Sequence, residues 1–416
     1  MTAGLSAQRL IEEATRAAAV GSQDRAIQLL KDAVDAEPRN PAALNMLANR
    51  LVAANDPDSA VDLLKRAIAI DPKAPELWLN LAAAHFARGA ASDEEEALDS
   101  ALALEPYLFQ ALLQKGELYE RQGREAECLG AYSAALTITS RMSGIPPALQ
   151  ARLRHAGETT SRLRQQLADR ISAAAQETGE TSSRFDYCLD IIAGRQRNFL
   201  PQPTRLYFPG LPAVSFFDRD LFPWFADLER ATDAIREELL AVMAANSGMR
   251  PYIDIDAGAP VNQWDKLNRS LDWSAFFLWE NGKRNDAACA ACPRTAAVLE
   301  SLPLYDVPGN APTAMFSILK GGAHIPPHHG ETNIRAVVHL PLVVPAGCSF
   351  RVGPDERPWI EGQAWGFDDT LEHEAWNRST QARAILIVDA WNPYLTNPER
   401  TLLSAAERVM KSSSKL

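Results

Sequence analysis

Pro38, Pro72 and Pro106 stand 34 residues apart, each directly after an acidic residue: Glu37, Asp71 and Glu105. A fixed period of that length means units that cannot bury their apolar faces alone, so it constrains the N-terminal third more than any other feature. The same spacing joins Ala33, Ala67, Ala101 and Ala135, then Ala48, Ala82 and Gly116, then Gly21, Asn55, Gly89 and Gly123. Each set has its own physical reason. Small residues let two antiparallel helices approach closely, Gly or Asn suits the turn between them, and Pro stops the second helix. The pattern predicts an all-α array of helix pairs over residues 8–140, stacked into a solenoid.

This array resembles the tetratricopeptide repeat. The resemblance implies a concave surface that binds peptide segments, and so a peptide or protein substrate brought in by the repeats; a scaffold or dimerisation arm is the alternative. Residues 141–182 read as a helical connector, in which "SGIPPALQ" breaks one helix and a polar, long-helix composition follows.

At 416 residues the chain is long enough for more than one domain. Its net charge of −11 forfeits the counterion release that drives nucleic-acid binding, so no nucleic acid is expected. Charges interrupt the apolar positions of "MTAGLSAQRLIEEATRAAA", and no uncharged apolar run reaches membrane-spanning length, which reads as a cytoplasmic chain without a membrane segment. The five cysteines are odd in number and only Cys289 and Cys292 are close, so no disulfide framework is expected. That CxxC pair has no second pair to complete a zinc site. It reads as packing, as do Cys128 and Cys348.

The texture changes over residues 183–400, ahead of a C-terminal tail at 401–416. A helical stretch near "FPWFADLERATDAIREELLAVMAA" precedes "TAMFSIL", "RAVVHLPLVV", "CSFRVG", "QAWGFDD" and "ARAILIVDAW", short strands between Gly, Pro and Asp turns. Such spacing predicts a sandwich or jelly-roll barrel. Four of the seven histidines, His324, His328, His329 and His339, fall within "GGAHIPPHHGETNIRAVVHLPL", and His373 follows His328 by 45 residues. Non-heme iron sites usually take His-x-Asp or His-x-Glu plus a distant His. Here the position after His328 and His329 is Gly330. Period-2 alternation puts Arg383 on one face with Ile385 and Ile387, and Arg335 on one face with Val337 and His339. If the first face points inward, its buried guanidinium calls for a carboxylate.

"SILKGGAHIPPHHGETNIRAVVHLPLVVPAGCSFRVG" followed by "WIEGQAWGFDDTLEHEAWNRSTQARAILIVDAWNP" resembles the aspartyl/asparaginyl β-hydroxylase family of iron(II)- and 2-oxoglutarate-dependent oxygenases, over most of residues 205–395. The resemblance implies a multidomain chain: an all-α repeat solenoid, then a double-stranded β-helix (jelly-roll, cupin-like) with flanking helices. It implies Fe(II) held by His328 and His373 alone, with Gly330 where a carboxylate would stand and Asp369 as the acid near a metal-bound water. By the same resemblance Arg383 and Ser317 bind the distal carboxylate of 2-oxoglutarate, His339 touches the cosubstrate, and O2 is the oxidant. The implied reaction hydroxylates an Asp- or Asn-type side chain, with succinate and carbon dioxide as co-products. One departure bears on substrate: the family's basic residue two positions before the barrel-wall histidine is Val337 here. Arg335 is then the expected substrate contact. Other readings are the same chemistry on a lipid acyl chain or a small-molecule or carrier-bound amino acid, and an inactive binding module. Halogenation at the open position is disfavoured by the like charge of Asp369. Gly330→Asp is expected to restore a facial triad. His324 and His329 read as peripheral, and Trp365, Trp376 and Trp391 as barrel core.

Overall fold

The computed structural model describes residues 6–245, 248–307 and 309–413. They form two compact units, Met1–Arg197 and Asn198–Leu416. In the first, helices α1 (Ala7–Ala19), α2 (Gln23–Ala36), α3 (Pro41–Ala53), α4 (Pro57–Ile70), α5 (Pro75–Arg88), α6 (Ala91–Leu104), α7 (Phe109–Gln122) and α8 (Glu125–Thr139) follow the period of the sequence. The turn residues Gly21, Asn55, Gly89 and Gly123 all take positive φ, where a side chain beyond Asn is strained. Ala33, Ala67, Ala101 and Ala135 are buried at the helix contacts, where a larger side chain would hold the helices apart. Asn40 and Asp56 cap α3 and α4 by accepting from the backbone N–H of Ala43 and Ser59. The chain expected as a connector continues the array. Helix α9 (Pro147–Gln176) buries Leu153, Ala156 and Leu163 in the core of the repeats, and α10 (Ser183–Ala193) packs on α9.

Gly116 shows how tight this packing is. A Cβ there would sit 2.2 Å from the ring of Tyr132, whose hydroxyl donates to Glu120 at 2.8 Å. The ring fills the space that glycine leaves. Gly116→Ala is therefore expected to destabilise the repeat unit by about 1–3 kcal/mol through overpacking, despite alanine's better helix propensity. Urea unfolding followed by circular dichroism checks this; a stability equal to or above the parent's would contradict it.

The second unit begins with α11 (Phe225–Arg230) and α12 (Thr232–Ala245), continues through strands β1 (Arg250–Pro251), β2 (Trp273–Glu280) and β3 (Lys283–Arg284), and then forms α13 (Asp286–Ala291) and α14 (Pro293–Ser301). Eight strands follow: β4 (Ala314–Leu319), β5 (His324–His328), β6 (Arg335–Val343), β7 (Cys348–Val352), β8 (Asp355–Arg357), β9 (Trp365–Phe367), β10 (His373–Asn377) and β11 (Arg383–Trp391). Among the described residues a seven-stranded sheet runs β1-β2-β4-β11-β6-β9, with β3 beside β2, and a four-stranded sheet runs β5-β10-β7-β8. The named strands of both sheets pair antiparallel throughout. This two-sheet antiparallel sandwich agrees with the strand spacing, and its flanking helices with the double-stranded β-helix that the resemblance implies.

The large sheet is covered on both faces. Phe316, Val338, Leu386 and Val388 pack with Ile235, Leu239 and Leu299 of the helices. The opposite face sends Leu319, Val337, Phe367 and Ile385 against Ile325, Phe350, Val352 and Ala375 of the small sheet. A strand apolar on both faces loses its alternation. β2, which pairs with β4, is such a strand, and it lies upstream of the strand-rich stretch that the sequence singles out. The residues expected as a tail form α15 (Asn397–Ser413), with Leu403 and Glu407 buried. Glu407 accepts from Arg205 at 2.7 and 2.8 Å and from Asn310 at 2.8 Å, so this helix anchors two segments of the domain.

Candidate active site

β5 and β10 pair so that His328 lies directly opposite His373, with ring centroids 4.0 Å apart. Each ring donates from Nδ1 to a carbonyl two residues back, His328 to Pro326 at 2.9 Å and His373 to Leu371 at 3.0 Å. A carbonyl only accepts, so the proton is on Nδ1 and the lone pair on Nε2. Burial pushes His328 down to about 3 and His373 down to about 4. Both are neutral imidazoles, the form that binds metal.

Gly330 reveals the partner of its missing side chain. A Cβ at position 330 would lie 1.9 Å from Oδ2 of Asp369, and the Gly330 N–H donates to the Asp369 carbonyl at 2.6 Å. The carboxylate of Asp369 fills the volume a carboxylate at 330 would need. It cannot swing away cheaply, because Oδ2 accepts from Nη2 of Arg335 at 2.7 Å. Nη1 of Arg335 reaches Oδ2 of Asp389 at 3.5 Å, and that oxygen also accepts from the Thr313 N–H at 2.9 Å. Arg335 faces the cavity, as expected of a substrate contact, but its guanidinium is engaged by two aspartates. Asp369 Oδ1 is buried without a hydrogen-bond partner. The expectation that Gly330→Asp restores a facial triad is thus corrected on steric grounds.

Arg383 is buried and Ser317 beside it is too. The guanidinium lies over Trp359 at 4.7 Å, its Nη1 approaches the Ser317 carbonyl at 3.5 Å, and its Nε has no partner. Burial pushes this group down to about 10, with no carboxylate among the groups acting on it. Ser317 Oγ accepts from Trp273 Nε1 at 3.1 Å. His339 accepts at Nδ1 from Trp359 Nε1 at 3.3 Å and is ringed by Phe350, Trp365 and Phe367, so burial holds it neutral.

One cavity of about 540 Å³ collects Ser317, His328, Arg335, His339, Asp369, His373 and Arg383. His329 also lines it, which corrects the peripheral reading: β5 ends at His328, so the strand alternation that would turn His329 away does not continue through it. His324 lies outside, bonded to Glu374 at 3.0 Å and stacked on Trp376. Trp376 therefore packs on that outer face, whereas Trp365 and Trp391 pack against buried clusters. Cys289 and Cys292 are buried in the helical layer, and all five cysteines are free thiols. Sequence reasoning missed Asp389, Trp359 and Trp273. Asp389 had a signal, since it continues the alternation 383, 385, 387.

The second unit is thus a β-sandwich with two opposed histidines beside a buried arginine, and comparison with known proteins shows what it is similar to. Residues 229–393 match the family described as Aspartyl/Asparaginyl beta-hydroxylase, and residues 41–84 match the Tetratricopeptide repeat. Residues 229–393 are thus similar to an aspartyl/asparaginyl β-hydroxylase domain, and they follow a segment similar to the tetratricopeptide repeat. It is 39% identical over 180 residues to the aspartyl/asparaginyl beta-hydroxylase of Homo sapiens, a match covering 43% of this chain and 22% of that protein. It is 36% identical to the ornithine lipid ester-linked acyl 2-hydroxylase of Rhizobium tropici, covering 46% of this chain and 64% of that one. Aspartate beta-hydroxylase domain-containing protein 2 of Xenopus tropicalis matches at 32% identity over 51% of this chain and 57% of its own length. The matches thus span less than two thirds of these relatives.

The clash at Gly330 is testable without any ligand. Gly330→Asp is expected to destabilise the domain by roughly 1–3 kcal/mol, and adding Asp369→Gly should recover most of that loss, because it reopens the space and the carboxylate introduced at 330 replaces the one that Arg335 loses. Thermal unfolding of the two variants checks it. A single variant as stable as the parent would sink the steric account.

Proposed function

We propose that the second unit is an Fe(II)- and 2-oxoglutarate-dependent dioxygenase that hydroxylates an Asp- or Asn-type side chain in a peptide or protein, yielding succinate and carbon dioxide. The observation that carries this reading is Arg383, a buried cation facing the cavity without a carboxylate partner. Leaving a buried charge uncompensated costs several kcal/mol, and a ligand carboxylate removes that cost. The distal carboxylate of 2-oxoglutarate fits, with Ser317 beside it. The donor set also suits iron: two neutral imidazoles with free Nε2 atoms, and Asp369 close by.

Iron with 2-oxoglutarate supplies, when bound, the O2 activation that inserts oxygen into a C–H bond. This chain's residues do the rest. His328 and His373 would hold the metal through Nε2, their Nδ1 protons being fixed on backbone carbonyls. Arg383 and Ser317 orient the cosubstrate, and His339, kept neutral, presents its Nε2 proton from the barrel wall. Trp264, Trp273 and Phe367 line the cavity and limit water around the metal. Asp369 Oδ1, buried without a partner, would accept a hydrogen bond from a group bound beside the two histidines. The repeats bring a peptide or protein substrate to the domain, in keeping with their family match. A second reading, hydroxylation of a lipid acyl chain, draws on the similarity to the Rhizobium acyl 2-hydroxylase.

Succinate release from 2-oxoglutarate is expected to fall to background in His328→Ala and in His373→Ala. Arg383→Ala should chiefly raise the KM for 2-oxoglutarate, by roughly 30-fold or more, since a buried charge partner is worth 2 kcal/mol and upward. Normal turnover in all three variants would remove the site assignment. A chain lacking Met1–Arg197 should keep uncoupled 2-oxoglutarate consumption while losing about 100-fold in kcat/KM toward a protein substrate, as tethered recognition is lost. Equal kcat/KM with and without the repeats would leave them as scaffold.

A further inference from the structure

Three arginines line the cavity, and they differ in what already holds them. Arg383 has no carboxylate partner, and in the reading above it takes the cosubstrate. Arg205 is held at Nη1 by buried Glu407 and at Nε by Glu331 at 3.4 Å. Arg335 is held by Asp369 and Asp389. No lysine lines the cavity, whereas four carboxylates do: Glu280, Glu331, Asp369 and Asp389. Outside the cosubstrate position, each cation is therefore outnumbered by the acids around it. At the position nearer His339 the wall is the buried alkyl side chain of Val337.

A substrate carboxylate entering this compartment would be stripped of water beside Asp369 and Asp389, with no uncommitted cation to receive it. Burying an uncompensated charge next to like charges is costly. A carboxamide carries no net charge, and its NH2 group donates where the lining carboxylates accept. At the edge of the cavity the exposed Asn281 carboxamide and the carbonyl oxygen of the half-buried Asn310 side chain, whose NH2 is taken by Glu407, give a peptide backbone polar partners that a plain acyl chain would not use.

We propose that this compartment selects the carboxamide of an asparagine-type side chain in a peptide and rejects the carboxylate of an aspartate-type one. Arg335, Asp389 and Val337 are the residues that set the selection. The proposal rests on the dioxygenase reading, and its test keeps the two apart. The full chain is loaded with Co(II) and the unreactive 2-oxoglutarate analogue N-oxalylglycine, and the visible cobalt spectrum is titrated with N-acetyl-asparagine methylamide or N-acetyl-aspartate methylamide. Cobalt and N-oxalylglycine uptake, read in the same spectra, tests the cofactor site independently. The asparagine probe is expected to bind at least about tenfold more tightly than the aspartate probe, the size of a modest like-charge penalty. Asp389→Asn should narrow that ratio to about threefold or less by strengthening aspartate binding, because Arg335 is then partly released. A merely structural role for Asp389 would instead weaken both probes. Equal or tighter binding of the aspartate probe to the parent protein overturns the proposal. So does normal loading with no response to either probe, or a response only to an acyl probe such as octanoyl-glycine amide.

Discussion

The cavity is organised by the chain of charges Asp369, Arg335 and Asp389. Two aspartates and one arginine, none of them exposed, are joined by contacts of 2.7 and 3.5 Å, and Asp389 is fastened in turn to the Thr313 backbone. Removing one partner from such a group leaves a charge buried alone, a loss of about 3–5 kcal/mol, so the three side chains hold one another in place. They come from the turn before β10, from β6 and from β11. The carboxylate that occupies the space beside Gly330 is consequently positioned by strands remote from it in sequence. Glycine at 330 follows from this arrangement, since any side chain would collide with Asp369.

The sheet makes that convergence possible by dividing its residues strictly between two faces. Along β11, Arg383, Ile385, Ile387 and Asp389 face the cavity, while Ala384, Leu386, Val388 and Ala390 belong to the core under the helices. Along β6 the same holds for Arg335, Val337 and His339 against Ala336, Val338 and Leu340. Packing on the helical face fixes register, because a slip of one residue would bury the charges in the apolar layer. Each strand therefore carries chemistry on one side and anchors it with hydrophobic burial on the other.

The same division decides what could be read from the sequence. The repeats were legible because each of their registers answers one local demand: a left-handed turn, a close helix contact, a helix stop. Positive φ at Gly21, Asn55, Gly89 and Gly123 and burial of Ala33, Ala67, Ala101 and Ala135 meet those demands. Alternation likewise put Arg383 and His339 on cavity-facing sides. Strand β2 carries no alternation of its own and stands apart from the strands it joins, with α13 and α14 between, and the role of α15 is hidden because its hold on Arg205 and Asn310 spans about 200 and 100 positions of sequence. Asp389 and the filled space beside Gly330 belong to this second kind. Spacing gives a side chain its face, but only the tertiary fold says what stands opposite it.

Arg335 and Arg383 show how far that last distinction reaches. Both are arginines at cavity-facing positions of neighbouring strands, paired through β6 and β11. For Arg335 the nearby aspartates outweigh desolvation and hold the guanidinium firmly charged; for Arg383 burial acts almost unopposed and draws it down to about 10. At neutral pH both remain cations, yet only the second gains substantially from an incoming anion. In the proposed reading, a dianion that reaches the cavity would be drawn toward Ser317 and Arg383, away from the aspartate pair. Electrostatic pre-arrangement of this kind costs stability in the ligand-free fold and returns it as affinity and direction in binding.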